Sequence, residues 1–301
     1  MKKLLVGVVA LTMILTLGAG LAIAKDKYIV ASDIPWAPFE MVTADGQFFG
    51  FDLDVMRAVS IVAGFDIEIQ NIAFDAIIQT VKSGKADIGA SGFTITAERE
   101  KSIDFSDPYY LSNQAVVVRK DSGLNIVSAL AGQGPTKAVG AQNGTTGFDW
   151  ADQNGIGIQV KGYEYYPTAI LDLVNGRVDA VVQDEPASQA SLAAYPDELT
   201  IAGIINTYEY FGFLVAEGDP EGLLPRINAA MKTLGLSVVT EAGGAKRLVV
   251  TPGSVWDNLL KGYFGPTNEQ IEAAWLASKD LLLVDKDVTA FAAKFAEEAS
   301  K

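Results

Sequence analysis

"AIIQTVKSGKADIGASG" (76–92) sets a helix-spaced apolar run against one of strand length, with a glycine between them. Counted from Phe74, the apolar residues Ile77, Ile78 and Val81 fall at i+3, i+4 and i+7, which predicts a helix over 74–84. "ADIGA" (86–90) follows as a short strand. The order recurs in "AILDLVNGRVDAVVQDE" (169–185): helix, glycine, a basic residue, one spacer, aspartate, short apolar strand. Upstream, "KYIVAS" (27–32) reads as a first strand, "FDLDVMRAVSIVAG" (51–64) as a helix closed by glycine, and "DIEIQNI" (66–72) as a second strand. Strands alternating with helices indicate an α/β protein with mainly parallel sheets, and the recurring unit suggests two lobes.

Ligands of open α/β sheets bind beyond the carboxyl ends of strands. Those exits are Ser91 to Thr94 in one lobe and Gln183 to Glu185 in the other. In "SGFTITAERE" (91–100), Thr96 is the expected cap of a helix whose first turn holds Arg99, where acids are favoured over bases. Arg99 is either an anion-binding group or a solvated surface charge. "KAVGAQNGTTGFDWA" (137–151) reads as strand, turn and helix, so Thr145, Thr146 and Gly147 sit where amides point out of a helix N-terminus. That turn is either an anion site or an ordinary cap. A cleft between the exits would offer Arg99 to a carboxylate and Asp184 to an ammonium group.

The chain has 301 residues, 49% hydrophobic and 20% charged, enough for about two domains. Residues 1–24 have two lysines, an apolar run and Ala22, Ile23, Ala24 before Lys25, the layout of a cleaved signal peptide; an uncleaved anchor is the rival reading. Either places the rest outside the cytoplasm. Cleavage would remove Lys2 and Lys3 and no acid, taking the net charge from −14 to −16. Nucleic acid is a poor partner for such a chain. With no cysteine and no histidine, disulfides, the usual zinc ligands and most hydrolytic triads are excluded, so neither metal nor cofactor is expected. Carboxylate catalysis stays open.

From Lys27 to Gly265 the chain resembles the extracytoplasmic (periplasmic-type) solute-binding proteins of polar amino-acid ABC importers, family 3. "GFDLDV" (50–55), "FDAIIQTVKSGKADIGASGFTITAEREKSIDFSDPYY" (74–110) and "GRVDAVVQDEPA" (176–187) carry the resemblance. It implies the type II two-lobed binding fold with a two-crossing hinge: residues 25–118 plus 210–301 as a discontinuous first lobe, and 119–209 as the second. It also implies that Arg99 pairs with the ligand α-carboxylate, helped by Thr94 through its amide and hydroxyl and by the Thr145–Thr146 turn through the Thr146 amide. Gly92 would offer its carbonyl, and Asp184 its charge, to the ammonium.

Side-chain selectivity would rest on Asp33, Trp36, Asp52, Phe74, Ser91, Gln142 and Gln183. Trp36 and Phe74 either sandwich the ligand or simply pack in the core, and Asp52 is either a pocket residue or a helix cap. Two aspartates near the pocket favour a free glutamine or a member of the arginine/lysine/ornithine group over an acidic amino acid. The implied partners are that ligand and a membrane permease, with the binding protein a monomer. Two alternatives remain on the same fold: a cyclohexadienyl/arogenate dehydratase-like enzyme, or a ligand-sensing domain. The chain departs from the family in a longer "LSVVTEAGGAKRLVVTPGS" (236–254) and in a helical extension over 266–301. There Ile271, Ala274 and Trp275 share one face, and Val288, Phe291, Ala292 and Phe295 another.

Overall fold

The computed structural model describes residues 27–301; the signal-peptide and anchor readings fall on residues outside that range. The first lobe opens with β1 (Lys27–Ser32), the small hairpin β2 (Met41–Val42) and β3 (Phe48–Phe49), α1 (Phe51–Ala63), β4 (Asp66–Asn71), α2 (Phe74–Lys82) and β5 (Ile88–Gly89). α1 buries Phe51, Val55, Met56 and Val59, and ends at Gly64, whose φ of 73° suits glycine. α2 buries Phe74, Ile77 and Val81, the stripe its spacing predicts. β1 pairs in parallel with both β4 and β5.

Beyond β5 come β6 (Ile103–Phe105) and then β7 (Tyr110–Arg119), which begins the second lobe. α3 (Ile126–Leu130), β8 (Ala138–Gln142), α4 (Thr146–Asn154), β9 (Gln159–Tyr163), α5 (Tyr166–Val174), β10 (Ala180–Asp184), α6 (Glu185–Ala194) and β11 (Leu199–Phe211) complete it. The chain returns through β12 (Leu214–Ala216), α7 (Leu223–Thr233), the hairpin β13 (Leu236–Thr240) and β14 (Lys246–Val250), and the helices α8 (Val255–Tyr263), α9 (Asn268–Leu283) and α10 (Val288–Ala299). The two five-stranded sheets run β4-β1-β5-β12-β6 and β11-β7-β10-β8-β9. Each has a parallel part built by helix crossovers, and antiparallel pairings where strands enter from the crossings.

The repeated glycine-basic-spacer-aspartate motif has one structural job in both lobes. Asp87 Oδ2 accepts from the Ile29 amide in β1 at 2.7 Å, and Asp179 Oδ2 from the Lys137 amide just before β8 at 2.7 Å. Each aspartate ties its own strand to the neighbouring one.

Two details differ from the sequence reading. Thr96 caps only a three-residue 3-10 turn, Arg99–Lys101, because the chain enters β6 at once; the Arg99 amide donates to Thr96 Oγ1 at 3.2 Å. The first crossing lies between Phe105 and Tyr110, ahead of the boundary at 118 expected from the sequence, because β7 pairs with β10 and β11.

The extension is integral to the first lobe. Ile271, Ala274, Trp275, Val288, Phe291, Ala292 and Phe295 are all buried. The Trp275 ring stacks on Phe49 at 4.9 Å, and Phe295 packs against Tyr263 at 4.6 Å. Trp275→Ala is expected to lower unfolding stability by about 3–5 kcal/mol, the usual cost of emptying a buried tryptophan site. Chemical denaturation checks this; a loss below about 1 kcal/mol would mean the extension is only loosely attached.

Candidate functional site

The exits of β5 and β10, the N-terminus of α4 and the loop after β1 converge on one narrow, nearly filled cavity of about 10 Å³. Asp33, Trp36, Phe74, Ser91, Gly92, Thr94, Arg99, Gln142, Thr145, Thr146 and Asp184 all line it, so the structure brings together all but two of the residues singled out for the site; Tyr166 completes the wall. Two further candidates lie elsewhere. Gln183 turns away to donate to Ser191 Oγ at 3.0 Å, and Asp52 lies beneath Gly92 without reaching the cavity. A wider groove between β7, α6 and Tyr263–Ile271 is bordered by Glu185 and by Lys120, whose ammonium donates to the Pro196 carbonyl.

The lobes are closed on each other. Arg99 Nη1 donates to the Thr94 carbonyl in its own lobe at 2.8 Å, and Nη2 to the Gly144 carbonyl of the other at 3.0 Å. Its guanidinium lies 5.6 Å from the Phe74 ring centre and 5.3 Å from that of Phe93, which themselves stack at 4.4 Å. Burial lowers the Arg99 pKa, opposed by the negative charges of Glu209, Asp149 and Asp184. Across the cleft, Gln142 Nε2 donates to Asp33 Oδ2 at 2.6 Å, and the hydroxyls of Thr94 and Thr146 stand 3.4 Å apart.

Two carboxylates in the site keep an oxygen with no hydrogen-bond partner among the described residues, Asp33 Oδ1 and Asp184 Oδ1. A buried charged oxygen of that kind is costly unless something pairs with it. Burial pushes the Asp33 carboxyl up to about 7 despite its bond to Gln142. Burial and the nearby Glu209 charge push Asp184 up to about 8.

The walls explain local sequence choices. Gly92 takes φ 55°, and a Cβ there would fall 2.4 Å from Trp36 Cζ3, so the ring occupies the space a side chain would need. The Gly92 amide donates to Asp52 Oδ2 at 2.7 Å, and the Tyr109 hydroxyl to the same oxygen at 2.5 Å. Asp52 is therefore not a helix cap but the anchor of the Gly92 turn. It joins "GFDLDV" to "SDPYY" behind the cavity.

Thr145 caps α4 by accepting from the Phe148 amide at 3.1 Å, leaving the first-turn amides of the helix beside the cavity. Trp36 lies between Phe39 at 4.8 Å and Tyr166 at 6.2 Å. Sequence reasoning missed Tyr166 and the nearby Glu209, which accepts from both Thr94 and Thr146. Available signals were the aromatic run "YEYYP" at a helix start and a lone acid in the otherwise uncharged β11. Among the described residues no group of acids is placed to hold a metal ion.

Comparison with known proteins agrees with this architecture. Residues 28–240 match the family described as bacterial extracellular solute-binding proteins, family 3. ABC transporter arginine-binding protein 1 of Escherichia coli (strain K12) is 32% identical over 237 residues, covering 78% of this chain and 93% of its own. The structure of an ancestral arginine-binding protein bound to arginine superposes with a TM-score of 0.69 at 30% identity, over 80% of this chain and all of that one. An ancestral amino acid-binding protein described as a precursor of cyclohexadienyl dehydratase gives 0.65 at 31% identity, over 80% of this chain and 96% of the other. The matched span takes in both sheets and the whole cavity, and the chain belongs to the bacterial extracellular solute-binding proteins, family 3.

Proposed function

We propose that this protein captures a basic or polar L-amino acid between its lobes, outside the cytoplasm, and hands it to an ABC-type importer. The observation that carries the proposal is the charge pattern of the cavity: one partly buried guanidinium, and two buried carboxylates with unshared oxygens, one from each lobe. An arginine-like ligand answers that pattern. Its α-carboxylate would meet Arg99 and the α4 amides, its ammonium Asp184, and its side-chain cation Asp33 between the rings of Trp36 and Phe74. The E. coli relative and the ancestral structure, both named for arginine, support this choice. Glutamine is the polar alternative, its amide facing Asp33 and Gln142. The moving units would be the two lobes, with the boundaries expected near 118 and 210 placed instead at the links before β7 and after β11, which would act as the hinges.

Isothermal titration with arginine, lysine, ornithine, glutamine, glutamate and aspartate tests the choice. Arginine or glutamine should bind tightest, and tighter binding of glutamate or aspartate than of both would overturn it. Arg99→Ala should weaken binding at least about a hundredfold while the circular dichroism spectrum is kept. Unchanged affinity would remove Arg99 from the site.

The raised carboxyls give the site a pH signature. A cationic ligand needs Asp33 and Asp184 ionised, so it displaces protons wherever the pH lies below about 7 and 8 respectively, and affinity must rise with pH. Arginine is expected to bind at least about a hundredfold more weakly at pH 6 than at pH 8.5, since the two protonation penalties multiply. Glutamine should respond less, because Asp33 can then stay protonated.

The free protein follows the opposite course. These carboxyls hold protons in the folded state that the unfolded chain has already lost, so stability falls as pH rises through that interval. Melting curves from pH 5 to 8.5 should show the free protein weakening while the increment due to arginine grows; a flat increment would contradict the assignment.

A further inference from the structure

Glu209 stands behind the carboxylate end of the cavity, outside the set of residues that lines it. It faces an outer groove with Asp149, Trp150 and Tyr208, and the wall between groove and cavity is made by Thr94 and Thr146, which border both. Those threonines come from different lobes, yet both hydroxyls donate to one oxygen, Glu209 Oε2, that of Thr94 at 2.7 Å. Oε1 accepts from Gln114 Nε2 of β7 at 3.2 Å.

The backbone is shaped to put the carboxylate there. β11 pairs with β7 at Ile205–Gln114 and again at Glu209–Ser112, so four steps on one strand answer two on the other, and Asn206, Thr207 and Tyr208 bulge outward. Tyr208 takes φ 52°, an uncommon angle for a residue with a side chain, and its amide donates to Asn113 Oδ1 at 3.2 Å. Thr207 Oγ1 accepts the Gln114 amide at 3.2 Å. The bulge turns a strand residue next to the hinge into the cleft.

We propose that Glu209 is a closure latch and positioning residue: the chain supplies its own carboxylate to bridge the lobes, and opening must break at least one of its threonine bonds. The proposal rests on the two-lobed binding reading but not on which amino acid is bound. While both hydroxyls donate to Glu209 they cannot donate to a ligand, so in the latched state Arg99 and the α4 amides are left to meet the α-carboxylate. The groups around Glu209 are Arg99 from the 3-10 turn, Asp184 at the end of β10, Gln114 on β7 and Asp149 on α4. Arg99 is attracted to the carboxylate and Asp184 repelled by it, so the latch also keeps Asp184 reluctant to ionise until a cation arrives. Loss of a charge-assisted hydrogen bond between lobes shifts an open–closed balance by about tenfold or more.

Small-angle X-ray scattering of protein stripped of ligand by unfolding and refolding tests this on wild type, Glu209→Ala and Glu209→Gln, with cooperative thermal unfolding as the check that each variant folds. The alanine variant should show a larger radius of gyration than wild type. The glutamine variant, whose carbonyl oxygen still accepts from both hydroxyls, should fall between. With arginine, the alanine variant should bind about tenfold more weakly, and adding Thr146→Val should cost it less than the same change costs wild type. Identical scattering of the free wild-type and alanine proteins overturns the latch, whatever their affinities. If wild type binds no amino acid, the transport reading fails, and the scattering comparison still decides the latch.

Discussion

A buried charge must be met by another, and the cleft is arranged around that constraint. Arg99 is held by carbonyls from both lobes, and Asp33 shares one oxygen with Gln142 across the gap. What these groups do not satisfy in one another is what a bound amino acid would have to complement. The cavity has one positive and two negative groups to complement, and their spacing is set by two sheets whose strands end at the same place. On the proposed function, closure and recognition would be one event, since the groups that touch across the cleft are those that border the cavity.

Behind the cavity, a second set of buried groups fixes the first. Asp52 holds the Gly92 amide and the Tyr109 hydroxyl on one oxygen. Glu40 lies against it, and burial with the Asp52 charge raises the Glu40 carboxyl well above the usual carboxylate range, which keeps the pair from carrying two charges together. Ser32 joins that set by donating to the Ala90 carbonyl at 2.5 Å. The turn that offers Gly92 and Thr94 to the cavity is therefore rigid, and Trp36, packed over Gly92, leaves it no room to relax.

Much of this was legible in the chain because it is local. Helix stripes such as Phe74, Ile77 and Val81, the glycine closing α1, and the paired units around Asp87 and Asp179 depend on spacing alone. Arg99 was visible as a base where an acid belongs, and the family resemblance gathered Thr94, Thr146 and Asp184 around it. Glu209 was not legible, because its position depends on a strand bulge whose partner, β7, lies some ninety residues earlier. Tyr166 was hidden for a related reason: an aromatic residue at a helix start reads as core until the Trp36 loop is seen opposite. The length of the turn after Thr96 was set by β6, which claims the chain for the first sheet.

The transport reading depends on Arg99 and the α4 amides recognising an α-carboxylate. Calorimetric titration of the wild-type protein with its tightest-binding amino acid and with the matching decarboxylated amine, agmatine in the case of arginine, tests it most directly. The amine, with every cationic group in place and only the carboxylate removed, should bind at least about a hundredfold more weakly. Equal affinities would contradict that reading.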